Sequence, residues 1–424
     1  MAHILVASSP FAGHVRPTLA VAEALLLRGH RVTAYTGRRY ARDFEALGCR
    51  ILPWQAATDS DERNLAASFP QLQSTGRRAV FANLEHVFIG NAPGQLDDLR
   101  RAHATRPFDI LVGEQMMLGA GMLAELQSLP WASLSVLPLS LPSRNLPPSG
   151  LGLQPLPGAL GHARDALLRR VTRRVMRPVD AALAEVRRQA GLPEHQLFGQ
   201  AGFSTQLTIA HGAPGIEFPR PDLPGYVHYA GLLARPIVHA GPEPDWLREV
   251  QSFKGPVVLV TQGTLNTDPQ ELLQPALDAL RDEDLLVVAS SAGRSVQRIP
   301  PNARVHEFLP FGDLLPLASC AVTNGGWGGV LQMAAAGVPM VVAGGTLDKP
   351  EVAARVACAG LGLDLRTGTP TPRKILRAVR SILAEPGFRT RTAAVGDQLH
   401  RLGGAPRAAG LIESLAPGAS PRVP

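Results

Sequence analysis

The chain has 424 residues, 45% of them hydrophobic and 18% charged, enough for two domains and too apolar for a disordered chain. Its 42 glycines and 38 prolines, about a fifth of the total, fall short of the ~25–30% of low-complexity sequence and imply many turns. The net charge of +7 comes from scattered arginines. The densest run, Arg169, Arg170, Arg173, Arg174 and Arg177, has no interleaved aromatics for base stacking, which argues against nucleic acid and for one solvated helix face.

Three cysteines, Cys49, Cys320 and Cys358, lie far apart in apolar stretches. Their odd number and spacing exclude a disulfide framework and a CxxC site, and each reads as a buried small residue. No apolar run approaches ~18 residues, so no membrane-spanning helix is expected. The amino terminus lacks the pattern of a signal peptide, and a cytoplasmic location is the expectation.

In chain order, His3–Ser9 reads as a strand, followed by a loop to Arg16 and a helix opened by Pro17 and stopped at Gly29. Arg31–Tyr35 is the next strand, giving a parallel strand–helix–strand unit. Strands at Asp109–Gly113 and Trp131–Leu137 continue the alternation. A Pro-, Ser- and Gly-rich loop spans 138–158, and a helix covers Ala163–Gly191. The stretch Leu232–Trp246, with three prolines, marks the boundary. Beyond it, Pro256–Thr261 is a strand, and Asp268-Pro269-Gln270-Glu271 signals a helix start. Further strands at Leu285–Ser290, Arg304–Leu309, Cys320–Thr323 and Val338–Ala343 alternate with helices. The fold class is α/β, with two doubly wound parallel-sheet domains facing a cleft. The expected division is 1–235, a linker at 236–250, and 251–424, whose last helix returns to the first domain.

In doubly wound sheets, ligands bind outside the carboxyl ends of the strands. Candidate chemistry is therefore sought there. His14 follows Gly13 in the first such loop, where an imidazole can accept a proton near neutral pH. It could equally be a surface loop histidine. Glu114 follows the strand ending at Gly113, where a carboxylate could orient that imidazole or simply cap a helix. In the second half, three polar, glycine-bearing loops end three strands: Gln262-Gly263-Thr264, Asn324 to Gly329, and Gly344 to Glu351. Backbone N–H groups at a glycine-rich helix start bind anions, so these loops describe a cleft for a phosphorylated ligand.

On these motifs the chain resembles glycosyltransferase family 1, the nucleotide-sugar-dependent enzymes of the GT-B fold that modify small natural products. Gly13-His14-Val15-Arg16-Pro17 resembles the family's GHxxP motif. The stretch from Glu217 to Pro224, ending in Tyr229-Ala230-Gly231, resembles the segment before the linker. Thr323 to Pro339 resembles the donor-binding signature, with Asp348-Lys349 at its Asp-Gln position. The resemblance covers nearly the whole chain and is closest to bacterial macrolide-type enzymes that use UDP- or dTDP-sugars.

The resemblance implies an inverting hexosyl transfer with His14 as general base and Glu114 as its partner. It implies a nucleotide-sugar co-substrate rather than a resident cofactor, no metal, and no nucleic-acid partner. Phe308 is implied to stack the nucleobase, Gly326, Gly328 and Gly329 to bind the diphosphate, Gln332 to hold the ribose, and Asp348 to bind sugar hydroxyls. Gln262, Gly263, Thr264, Asn324 and Lys349 complete the implied donor site. The acceptor is implied to be an apolar small molecule, with Phe81, Phe88, Met116, Met117 and Leu137 as candidates for its wall. The chain departs from the family pattern at Glu114 (usually Asp), Asn324 (usually His), Gln332 (usually acidic) and Lys349 (usually Gln). A lysine there could restore the positive charge lost at Asn324. A membrane-lipid acceptor and a non-catalytic auxiliary protein are the rival functions, and monomer and homodimer both remain open.

Overall fold

The structure, a computed structural model, describes residues 1–73, 80–234, 236–263 and 268–416. Among the described residues thirteen strands form two sheets, and every strand pair within them is parallel. The first contains β1 (His3–Ala7), β2 (Arg31–Tyr35), β3 (Arg50–Leu52), β4 (Ile110–Glu114), β5 (Trp131–Ser135), β6 (Leu207–His211) and β7 (Val227–Gly231), in the order β3-β2-β1-β4-β5-β6-β7. The second contains β8 (Val257–Thr261), β9 (Leu286–Ser290), β10 (Ala303–His306), β11 (Cys320–Thr323), β12 (Met340–Val342) and β13 (Gly362–Asp364), in the order β10-β9-β8-β11-β12-β13.

Helices cover both faces of each sheet, which is why the central strands are apolar throughout. In β1, Ile4 and Val6 join one core while Leu5 and Ala7 join the core behind it. In β8, Val257 and Leu259 face one core and Val258 and Val260 the other. The strand order reverses direction between β1 and β4 and again between β8 and β11. Such switch points leave a crevice beyond the strand ends, and they fix where the site loops emerge.

Several boundaries differ from expectation. The first helix runs Ala12–Leu27, with Pro17 inside it rather than at its start. The Ala12 N–H donates to buried Glu62 (2.9 Å), so an acid distant in sequence tethers the helix start. The signal at Asp268 forms a turn, its carboxylate accepting the Gln270 N–H at 2.9 Å, and the regular helix begins at Leu273. The expected linker 236–250 overlaps a helix, Asp245–Ser252, whose Leu247 and Val250 lie in a core of the second sheet. Cys358 is exposed, unlike buried Cys49 and Cys320, because it ends a helix on its outer side. The helix Gly404–Glu413 packs Ala405, Ala408, Ala409 and Ile412 into the first sheet's core, and Glu413 pairs with Arg28 and His30.

A buried ion cluster joins the two halves. Arg355, on the helix Lys349–Cys358, reaches Glu217 Oε2 (2.7 Å), Glu351 Oε2 (2.6 Å) and the Leu139 carbonyl (3.2 Å). Its guanidinium lies 4.5 Å from the centre of the Phe218 ring. Glu217 also accepts the Leu139 N–H (2.9 Å), and Glu351 accepts the N–H groups of Gly150 (2.8 Å) and Gly152 (3.0 Å). Removing the cation would strand two buried carboxylates. Arg355→Met should therefore cost about 3–5 kcal/mol in chemical denaturation, and Glu217→Gln in the same chain should recover part of the loss.

Candidate active site

His14 and Glu114 emerge on either side of the β1/β4 switch point, where Ala7 pairs with Gly113. Glu114 is fully enclosed. Its Oε1 accepts the Ser9 hydroxyl (2.6 Å) and the Ser9 N–H (3.2 Å), and its Oε2 accepts the Met116 N–H (2.9 Å). The same Oε2 lies 3.0 Å from His14 Nδ1. This is ion-pair contact with a bent N–H direction rather than an aligned hydrogen bond, as is common before substrate binds. Nε2 makes no hydrogen bond to a described protein group. The Thr18 hydroxyl holds the His14 carbonyl at 2.7 Å, and Phe11 tilts against the imidazole with ring centres 5.5 Å apart.

Opposed effects set the protonation of the pair. Burial alone would push His14 down, but the Glu114 carboxylate, then Asp348 and Glu62, outweigh it and hold the imidazole above its ordinary value. Burial would push Glu114 up, but His14, Ser9 and the Met116 N–H hold the carboxyl below its ordinary range. Asp348 belongs to the other half of the molecule, so the two halves meet electrostatically at His14. Burial raises Asp348 itself, against Lys349, His14 and Arg355. Lys349 is pushed below its ordinary value by burial, against Asp348 and Glu271.

The second switch point is built from backbone. Asn324, at the end of β11, donates its side-chain amide to the Gln262 carbonyl beyond β8. Gln262 in turn accepts the Leu273 N–H (2.9 Å) and donates to the Asp268 carbonyl, so it braces the loop. Gly325 has φ +88°, and a Cβ there would lie 2.9 Å from Val342 Cγ1, so only glycine fits. Gly326 precedes the helix Trp327–Ala335. Added Cβ atoms at Gly326 and Gly328 would meet open space, and one at Gly329 would touch only Phe311, at 4.0 Å. The first N–H groups of that helix therefore face a cradle fit for an anion. Trp327 turns the other way and donates its indole N–H to the His211 carbonyl at the end of β6 (2.9 Å). His211 is itself buried, and burial pushes it down to about 3.

A recess of about 210 Å³, partly open to solvent, lies beside this cradle and is lined by Gln262, Gly263, Ser290, Ser291 and Arg294 among others. The Ala292 N–H of this lining bonds the carbonyl of Glu307 (3.1 Å), the residue before half-exposed Phe308, which does not itself line the recess. Gln332 is half-buried along the Trp327–Ala335 helix. Thr264 lies outside the described residues.

A second recess, about 190 Å³, adjoins Ser9 and Phe11 and is lined also by Trp54, Val87, Phe88, Asn91 and Gln95. Of the expected acceptor wall, Phe88 lines this recess. Phe81 and Leu137 are partly buried against the cores, and Met117 is core, 2% exposed. Met117 points inward because it immediately precedes the helix Leu118–Gln127, whose packing buries it. Met116 contributes its N–H to Glu114. Trp54, Asn91 and Ser9 carried no motif in the sequence; only the fold brings them to the site. Among the described residues no group of three or more His, Cys, Asp or Glu is placed to hold a metal ion.

Residues 272–402 match the family described as Erythromycin biosynthesis protein CIII-like, C-terminal domain. The chain is 38% identical to 4'-demethylrebeccamycin synthase of Lentzea aerocolonigenes, over 98% of this chain and 99% of that protein. It is 31% identical to UDP-glucosyltransferase A1 of Starmerella bombicola, over 91% of this chain and 86% of that protein. The solved structure of the calicheamicin glycosyltransferase CalG4 superposes with a TM-score of 0.76 at 22% identity, covering 99% of this chain and all of that one. The chain thus belongs to glycosyltransferase family 1 and has the GT-B fold; it is a glycosyltransferase.

The elevated His14 has a consequence with a definite sign. A group with a raised value loses its proton only as pH rises through that value, so if His14 is the base of the reaction the acid limb of kcat/KM should lie above the ordinary 6.5 of histidine. Replacing Glu114 with Gln removes the leading cause of the elevation and leaves burial. Glu114→Gln should lower the rate and move the acid limb to lower pH, read from a pH–rate profile and from the histidine signals in NMR.

Proposed function

We propose that the enzyme transfers a hexose from a nucleotide diphosphate sugar, UDP-glucose or a dTDP-sugar, to a hydroxyl of an apolar small molecule, with inversion at the anomeric carbon. The observation that carries this reading is the His14–Glu114 pair beside an apolar recess, with Asp348 close enough across the cleft to influence His14. The names of the two relatives support a nucleotide-sugar donor and a natural-product acceptor.

In this mechanism the acceptor hydroxyl gives its proton to His14 Nε2 as its oxygen attacks the anomeric carbon. Glu114 stabilises the imidazolium that forms and holds the ring in place. The bond from the anomeric carbon to the diphosphate oxygen breaks on the opposite face, and the electron pair leaves with the diphosphate. The N–H groups of Trp327, Gly328 and Gly329 receive the developing charge at the helix start. Lys349 adds a positive charge on the same side, the role we assign it in place of the signature histidine that Asn324 replaces. Asn324 and Gln262 hold the loop that shapes this cradle. Phe308 stacks the base, Gln332 takes the ribose and Asp348 takes sugar hydroxyls. No metal is required in this scheme.

Replacing His14 by Ala should reduce kcat by roughly 10²–10⁴ and leave donor affinity and thermal stability near those of the parent. Turnover assays with nucleotide-sugar and acceptor panels, beside calorimetric binding of the nucleoside diphosphate, make the comparison. A variant retaining parental kcat across neutral pH would remove His14 from the chemistry.

A further inference from the structure

The helix Gly158–Gln189 is 32 residues long, and its two halves have different surroundings. Its carboxyl-terminal half docks Val179 and Leu183 in a core of the first sheet, with Met176 and Val186 against them. In its first half, up to Met176, only Gly161 and Asp165 are buried. There Leu160 is 88% exposed, Leu167 64%, Val171 50% and Val175 51%. At 100° per residue these four fall within one narrow sector, an apolar ridge about 22 Å long. Exposed Leu156 continues it at the helix start, where the chain turns back so tightly that a Cβ on Gly161 would strike the Leu156 carbonyl.

Charge flanks the ridge. Arg174, Arg170 and Arg177 lie along one side of it, while Arg173 is turned about 155° from its middle; none of the four makes an ion pair or hydrogen bond to a described residue, whereas Arg164 and Arg169 are tied to Asp165, Gln154 and Leu146. Asp165 is the single acid between residues 158 and 178, and it is buried. The exposed face thus has aliphatic side chains, arginines and no negative charge. A protein partner of mixed chemistry would leave that face poorly matched. Aliphatic depth beside arginines that can reach outward is the pattern of a helix lying in the plane of a bilayer.

We propose that this helix docks the enzyme peripherally on anionic lipid bilayers, with Leu160, Leu167, Val171 and Val175 in the acyl boundary and Arg170, Arg174 and Arg177 on lipid phosphates. Among the described residues no helix is long and apolar enough to cross a membrane, so the attachment is interfacial. The same helix packs against the segment Asn83–Ile89 that carries Phe88 of the apolar recess. Docking would then bring that recess close to molecules dissolved in the bilayer. This consequence rests on the acceptor reading above, whereas the binding itself does not.

The test is sedimentation of the full chain with vesicles of phosphatidylcholine alone and of phosphatidylcholine with phosphatidylglycerol, at low and high salt. The protein should pellet with the anionic vesicles, less so at high salt and little with phosphatidylcholine alone. Arg170→Glu with Arg174→Glu should weaken binding more than the roughly fivefold expected for each arginine merely removed. Leu160→Ser with Leu167→Ser should weaken it at both salt concentrations. Both variants should keep parental turnover of a soluble acceptor, because neither touches the site. Failure to pellet with either vesicle, or pelleting that neither variant changes, would overturn the proposal. So would a change in solution mass caused by these variants without vesicle binding, which would assign the face to a second copy of the chain.

Discussion

Arg355 sits where the two halves of the chain meet, and the geometry of the cleft depends on it. Two parallel sheets each direct their carboxyl-terminal edges outward, and a two-substrate site exists only if those edges face each other. The guanidinium accomplishes this from one helix, holding Glu217 and the Leu139 carbonyl of the first half and Glu351 of its own. That helix begins at Lys349, directly after Asp348. The ion cluster therefore also positions the residue whose charge is felt at His14. Buried ion pairs are weak contributors to net stability, but an unpaired member is costly, and that asymmetry makes the cluster selective for one arrangement.

With the edges opposed, each half supplies what the other lacks. The first half gives a buried carboxylate with its imidazole. Glu114 stays ionised because Ser9 and Met116 surround it with donors, and the ionised carboxylate is what keeps His14 basic despite burial. The second half gives backbone: a glycine-rich helix start in which side chains are nearly absent and N–H groups are left for a ligand. Trp327 links the two, because its position in the glycine turn fixes the helix start while its indole bonds the end of β6.

Most of the fold was legible in the sequence because parallel strands buried on both faces read as continuous apolar runs. Cys320–Thr323 and Arg31–Tyr35 were located to the residue. His14 and Glu114 could be named because both lie at strand ends, Glu114 as the last residue of β4 and His14 in the first helical turn beyond β1, where a doubly wound sheet exposes chemistry. What the sequence did not reveal depends on long-range contacts. Pro17 suggested a helix start, but Glu62 anchors the helix earlier. Asp268 capped a turn rather than a helix because Gln262 holds that segment. Met117 looked like pocket lining, but its neighbours bury it. Ser9 ends the first expected strand and carries no motif of its own, yet its two bonds to Glu114 span 105 positions. Arg355 carried only an i,i+4 pairing with Glu351 in the local sequence, because its other partners, Glu217 and Leu139, lie 138 and 216 residues away.

In the proposed reaction the transfer is a single displacement, in which an acceptor oxygen activated by His14 attacks opposite the departing diphosphate. The product's anomeric configuration tests this most directly. With an α-linked nucleotide sugar as donor and an acceptor that is turned over, proton NMR of the isolated glycoside should show the large axial–axial coupling of a β-linkage for a gluco-configured hexose. A product that keeps the α-configuration would contradict the displacement and the role given to His14 together.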